Sequence, residues 1–254
     1  MAAQSPQGAL VLLDDLANAV DLTTDFSGLS EVAGAKTILG ALQLGVALSI
    51  RRTDALTVQD ALRFIELWGV AENTLREAAQ ADPNDGLARA FLFRIYRTRR
   101  DRDGIDQILA EFLSADRRPV GGLSLYAETI VLRHMGNESD VLAFGRAHAN
   151  SMPPASFGLI PDVHITCARQ GATIEPYFLG RDEIRAEIVA AHEDFVAAPE
   201  PEDFDAKYAH SAFSFAFFVL QDVARFRYHT ERLGDYRGGH FSAIERPSPP
   251  TQHN

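Results

Sequence analysis

Residues 67–112, LWGVAENTLREAAQADPNDGLARAFLFRIYRTRRDRDGIDQILAEF, constrain the fold more than any other stretch. Ala71, Leu75 and Ala78 recur every three or four positions, which is the period of one helix face. Asp82-Pro83-Asn84-Asp85 stops that helix, because proline removes a backbone donor and Asp and Asn bond locally in turns. Leu87, Phe91 and Ile95 then form a second apolar ridge, with Leu92 and Tyr96 beside it. After a charged break, Ile105, Ile108, Leu109 and Phe112 form a third. Helices that are apolar on facing sides and joined by short turns bury those sides only by stacking, so the chain is expected to be all-α.

The rest of the sequence repeats this grammar. Gly8 to Val20 reads as an amphipathic helix with Leu10, Leu13, Leu16 and Ala17 on one face. A second helix is expected from Val32 to Ile50, with Gly34, Gly40 and Gly45 leaving room for close packing. Thr57-x-x-Asp60 is a capping pattern, and it opens either one long helix from Val58 to Ala81, the reading favoured here, or a pair of helices broken near Gly69. Pro119-Val-Gly-Gly122 reads as a turn before a helix from Ser124 to Met135, and Gly136-Asn137 as its left-handed end. Further helices are expected at Ser139–Ala149, at Ser156–Gln170 with Pro161 in the first turn, and at Glu183–Ala197 capped by Asp182. Gln170 to Gly180 reads as a loop carrying Glu175, Pro176, Tyr177 and Phe178. A long apolar helix capped by Asp203 should meet a last one, Val223 to Leu233, at Gln221-Asp222. No stretch alternates with a period of two, so almost no sheet is expected.

Composition narrows the class of function. The formal net charge is -11, and such a surface repels the phosphate backbone of nucleic acid. With one cysteine, Cys167, no internal disulfide forms. The N-terminus lacks a basic leader, and no apolar run approaches the ~20 residues of a membrane span. A cytoplasmic protein that contacts neither nucleic acid nor membrane is therefore expected.

Ala71, Leu75, Ala78 and Pro83 sit at the spacing of the back half of a tetratricopeptide (TPR) repeat, and Leu92 and Tyr96 where the next repeat begins. Longer pieces resemble a bacterial TPR-like family of no assigned activity: AENTLREAAQADPNDGLAR, MGNESDVLAFGRAHANSMPPAS, EPYFLGRDEIRAEIVAAHEDF and AFSFAFFVLQDVARFRYHTERLGD. Together they cover most of residues 57–234. Two departures stand out: Gln221-Asp222 replaces the usual Gly-Asp turn, and the half-repeat before Ala71 lacks the expected Gly and Tyr pattern. The resemblance implies an α-solenoid of antiparallel helix pairs and carries no activity. On that reading residues 1–56 cap the array, residues 57–234 form it, and residues 235–254 are a loose tail.

Signatures of common chemistry are absent. There is no GxGxxG, Walker A, GxSxG, HExxH or CxxC, and His192-Glu193-Asp194-Phe195 lacks the second histidine of a zinc helix. No cofactor and no metal are expected. His164 and Cys167, three apart, would share a helix face. They fit an activated thiol or a pair of metal ligands completed by Glu175 or His210, and they equally fit plain packing. His192 and His210 lie among apolar residues, where an imidazole can act as a base or simply pack. His134 and His148 lie near helix ends. Arg94, Arg97, Arg99, Arg100 and Arg102 form a basic cluster that suits an acidic partner or its own neighbouring aspartates.

Two functions follow as expectations. The first is an interaction protein that binds a protein or peptide segment on a concave face, with Arg94, Tyr96, Arg97 and Arg100 as contacts. The alternative is an enzyme or small-molecule binder with an apolar cavity between the C-terminal helices. Its polar lining would come from His164, Cys167, Tyr177, His192, Tyr208 and His210.

Overall fold

The computed structural model describes residues 6–21, 34–50, 57–99, 101–131, 136–171, 174–199 and 204–234. Among them there is no strand, and the one β contact is an isolated bridge between Asp85 and Arg117. The protein is all-helical, as expected. No described helix is long and apolar enough to cross a membrane. The chain forms two compact units, Met1–Tyr126 and Ala127–Asn254.

The first unit begins with α1 (Pro6–Ala19) and α2 (Ala35–Ile50). Leu10, Leu13 and Ala17 of α1 are buried, but Leu16, expected beside them, is 42% exposed. At 100° per residue it lies roughly 120° round the helix from Leu10. Helix α2 starts later than expected because Gly34 takes φ +76°, a left-handed backbone no α-helix includes. Val32 lies outside the described residues.

Helix α3 (Val58–Ala81) is a single 24-residue helix. Its start is a capping box: the Thr57 hydroxyl accepts from the Asp60 amide at 3.1 Å, and the Asp60 carboxylate accepts from the Thr57 amide at 2.9 Å. The hydrogen bonds to Thr57 hold the Asp60 carboxyl below its usual pKa. Gly69 does not break the helix, since one interior glycine costs only about 1 kcal/mol. Ala71, Leu75 and Ala78 face the core, at 0%, 0% and 7% exposure. Helix α2 packs along this face, and Gly40 lets it close: a Cβ there would stand 2.6 Å from Leu75 Cγ.

The turn after α3 forms as its residues require. The Asp85 amide donates to the Asp82 carbonyl, and the Asn84 amide to the Asp82 side chain. Helices α4 (Leu87–Arg99), α5 (Arg102–Ser114) and α6 (Val120–Val131) follow. Pro119–Gly122, expected as a turn, instead leads into the first turn of α6. Gly122 faces Phe112, where a Cβ would meet the ring at 2.5 Å, so this glycine serves packing. Phe93 contacts both Phe112 and Tyr126 edge-on at the unit's centre.

The second unit holds α7 (Glu138–His148), a 3-10 turn (Ala155–Gly158), α8 (Leu159–Gln170), α9 (Ile174–Leu179), α10 (Asp182–Ala197), α11 (Phe204–Val219) and α12 (Val223–Leu233). Four local expectations change. Asn137, read as the end of one helix, has φ -118° and caps the next in a reciprocal box with Asp140. Ser156, Phe157 and Gly158, expected to open an α-helix, belong instead to the 3-10 turn Ala155–Gly158. Ile174–Leu179, expected as loop, is helical because Tyr177 and Phe178 are drawn into the core. Asp182 is the first helical residue, and Arg181 stands at the cap position without a side-chain capping bond. Pro161 lies in the first turn of α8, where its missing N–H costs nothing. Gln221 takes φ +58° at the α11–α12 joint, and Asp222 caps α12 by accepting from the Arg225 amide at 3.1 Å. Asp203 and the 235–254 tail lie outside the described residues. The core is aromatic, with Phe178, Phe213 and Phe217 fully buried and Phe195 nearly so.

Candidate functional site

In the first unit, the end of α3, the turn, α4 and α5 surround a groove of about 300 Å³. Leu92, Ile108, Ala79 and Pro83 give it an apolar floor, and Arg76, Gln80, Arg89, Gln107 and Glu111 supply its polar atoms. Arg89 is only 5% exposed. Its Nη1 donates to the Asp85 carbonyl at 2.8 Å and its Nη2 to the Ala79 carbonyl at 3.0 Å. The Ala79 carbonyl belongs to the last turn of α3, which has no partner within the helix, so Arg89 caps that end and complements its dipole.

Arg89 Nε makes no hydrogen bond. The Glu111 carboxylate stands 3.5 Å away and is held from the other side by the Gln107 amide at 3.2 Å. The Nε atom is itself buried, and Glu111 is the carboxylate that balances Arg89 there. Arg76 is steadied at the groove by Glu72, which accepts from its Nε at 3.2 Å, and by the Tyr96 ring beneath it at 5.3 Å. Glu72 is itself buried and also accepts from the Tyr96 hydroxyl at 3.3 Å.

The expected binding residues are not gathered there. Tyr96 is buried under Arg76, at 2% exposure. Arg94 lies against Phe91 and is roughly 140° round α4 from Arg89. Arg97 is half-buried, and Arg100 lies outside the described residues. Arg102 pairs with Asp106 at 2.8 Å. The Tyr126 hydroxyl also donates to Asp106, at 2.6 Å, and burial together with that carboxylate raises its pKa.

In the second unit the candidate catalytic residues form two clusters. In the first, His164 Nε2 lies 3.2 Å from Glu187 and Nδ1 3.1 Å from the Tyr177 hydroxyl. Arg146 clamps Glu187 with two bonds of 2.6 and 2.7 Å and holds its carboxyl below the usual range. Arg181 donates to Glu138 at 2.6 Å and lies 4.5 Å over the Tyr177 ring. Burial lowers the pKa of His164 against the pull of Glu187, so its imidazole is neutral. In the neutral ring Nε2–H donates to Glu187, and Nδ1 lies beside the Tyr177 hydroxyl, which itself donates to Glu138 at 3.3 Å. Burial pushes the Cys167 thiol up to about 12 and raises the Tyr177 phenol too. A thiol held protonated beside a neutral imidazole is not an activated nucleophile.

In the second cluster His192 Nδ1 lies 3.0 Å from His229 Nε2, and His210 Nδ1 lies 2.7 Å from His229 Nδ1. Phe195, Phe213, Phe217 and Tyr228 surround the three rings. Burial, then the neighbouring His210 and His192, lower the pKa of His229, and burial lowers that of His192. Tyr208 belongs to neither cluster; its hydroxyl donates to buried Asp162 at 2.9 Å. Glu175 is exposed. His148 stacks near Phe144 at the end of α7, and His134 lies outside the described residues. Among the described residues no group of three or more His, Cys, Asp or Glu is arranged to hold a metal.

Comparisons with protein-family models, with curated proteins and with solved structures find no match.

Proposed function

We propose that this protein is a TPR-like interaction protein, an α-solenoid of antiparallel helix pairs that holds an acidic protein segment. The observation that carries the reading is the groove beside the α3–α4 hairpin, which Arg76 and Arg89 line together with Leu92 and Ile108. The hairpin supports the repeat reading through the burial of Ala71, Leu75 and Ala78. Arg76, part-exposed among the lining residues, favours a ligand with its own carboxylate, and the apolar floor favours one that also presents aliphatic carbon.

The test uses the full chain and three labelled hexapeptide pools, rich in Glu and Leu, in Lys and Leu, or in Gln and Leu, with binding read by fluorescence anisotropy. The acidic pool should bind, and Arg76→Glu should weaken it about tenfold or more. Arg94→Glu and Arg97→Glu report on the surface first expected from the sequence and should matter less. Binding of no pool, or equal binding of all three, overturns the reading.

The alternative of a catalytic or small-ligand site in the second unit draws on the convergence of His164, Cys167 and Tyr177. Their burial and the bonds that tie His164 and Tyr177 to Glu187 and Glu138 support a structural network instead.

A further inference from the structure

The last three helices of the second unit each send one imidazole to the same place. His192 of α10 and His210 of α11 both reach His229 of α12, which is fully buried and stacks on Phe213 and Phe217. A neutral imidazole carries one N–H and one bare nitrogen. Three neutral rings in a row therefore make both bonds of the chain, in either direction. One added proton keeps both, because an imidazolium at His229 donates to each neighbour. A second added proton sets two N–H groups against each other at one of the two contacts, and that bond is lost. Among the described residues no carboxylate bonds His192 or His229, whereas His164 has Glu187 at 3.2 Å.

We infer that this chain is an acid-release latch, which holds α12 on α10 and α11 while its rings share at most one added proton and lets α12 go when a second arrives. Helix α12 packs mainly on α11, so it can lift without unpacking the other helices. The surrounding charges do not neutralise a second proton. From α10 comes Glu193, which is exposed. From α12 come Arg225 and Arg232, with Asp222 at the cap already bonded to Arg225 at 2.6 Å and Arg232 lying over the Tyr228 ring. Helix α11 carries Asp205 and Lys207 before His210, and its Tyr208 bonds Asp162 of α8. On α8 and α9, His164 and Tyr177 face Glu187 and Glu138. The 3-10 turn has no titratable side chain. Burial lowers the pKa of His192 and His229 from 6.5, so α12 stays docked above that pH and loosens as pH falls below it. Each ring that gains a proton on opening raises the opening constant about 25-fold from pH 7 to 5, and two rings raise it about 600-fold.

Two measurements on the full chain test this. In the neutral wild type, side-chain nitrogen NMR should show His192 and His229 in one tautomer and His210 in the other, whichever way the chain runs. Amide exchange in α12, corrected for intrinsic rates, should give an opening constant that rises about 600-fold or more from pH 7 to 5. Helix α8, whose one histidine is His164, should rise no more than about 25-fold. His192→Gln, at the half-buried end of the chain, removes one proton site and should cut the rise in α12 about 25-fold. Tautomers that break the pattern, a rise in α12 of about 25-fold or less, a rise that His192→Gln leaves unchanged, or α8 and α12 opening in step would overturn the inference.

Discussion

Two glycines inside neighbouring helices should respond to the same substitution with opposite sign. Gly69→Ala adds a methyl group to α3 in open space, since nothing lies within 4 Å of that Cβ. Relief of glycine's backbone freedom should stabilise the first unit by about 1 kcal/mol. Gly40→Ala brings the same relief to α2, but its Cβ would meet Leu75 Cγ at 2.6 Å and Cδ2 at 2.8 Å. Leu75 is fully buried and its branch carbon is not a free end, so it yields only by moving the core. Overpacking of this kind costs about 1–3 kcal/mol, which offsets or exceeds the gain. The two variants should therefore differ by about 1–3 kcal/mol. With a urea slope of about 1.5–2 kcal/mol/M this separates their midpoints by about 0.5–2 M. Trp68, the one tryptophan of the chain, is buried in α3 and makes fluorescence a probe of this unit alone. If Gly40→Ala raises the midpoint as much as Gly69→Ala does, α2 does not close on Leu75 as described and the packing argument fails.

Acid should act unevenly on the chain. All eight histidines lie at or beyond residue 134, and burial lowers the pKa of His164, His192 and His229 from 6.5. A group whose folded pKa is depressed binds more protons unfolded, so stability falls as pH drops through 6.5, and Glu187 adds to the fall below 4.5. Amide exchange between pH 7 and 5, corrected for intrinsic rates, should show α8, α10 and α12 opening while Trp68 fluorescence holds; an equal loss in both units would refute this. Cys167 is buried with its thiol pushed up to about 12, so a thiol reagent should label it at least about a hundredfold faster in denaturant than in buffer. Rapid labelling of the native protein would contradict that burial.

What the sequence discloses and what it hides follow the range of the forces involved. The Thr57–Asp60 cap, the Asp82–Asp85 turn and the period through Leu75 are local, and the structure has them where they were expected. Helix α9 was hidden because its six residues are far too few to hold a helix alone; Tyr177 and Phe178 hold it through the core. Pro119–Gly122 carries a turn's composition, yet Phe112 needs Gly122 for space. His192 and His210 were legible as candidates, whereas His229, which links them, was not. Its spacing from Phe226 and Leu233 places it on the buried face of α12, and that was the available signal. Arg89 was passed over within an apolar run. An arginine one turn beyond a tight helical hairpin is placed to reach back to the end of the previous helix, and its pairing with Glu111 is visible only in three dimensions.

The corner at Gln221 has a consequence of its own. A side chain held at φ +58° is strained by about 1–2 kcal/mol relative to glycine. Glycine, however, enlarges the set of shapes open to the unfolded chain and costs about 0.4–1 kcal/mol on that account. These effects nearly cancel, so exchange between Gln and Gly at this bend is close to neutral, and the residue there is free to drift while Asp222 beside it, which anchors α12, is not.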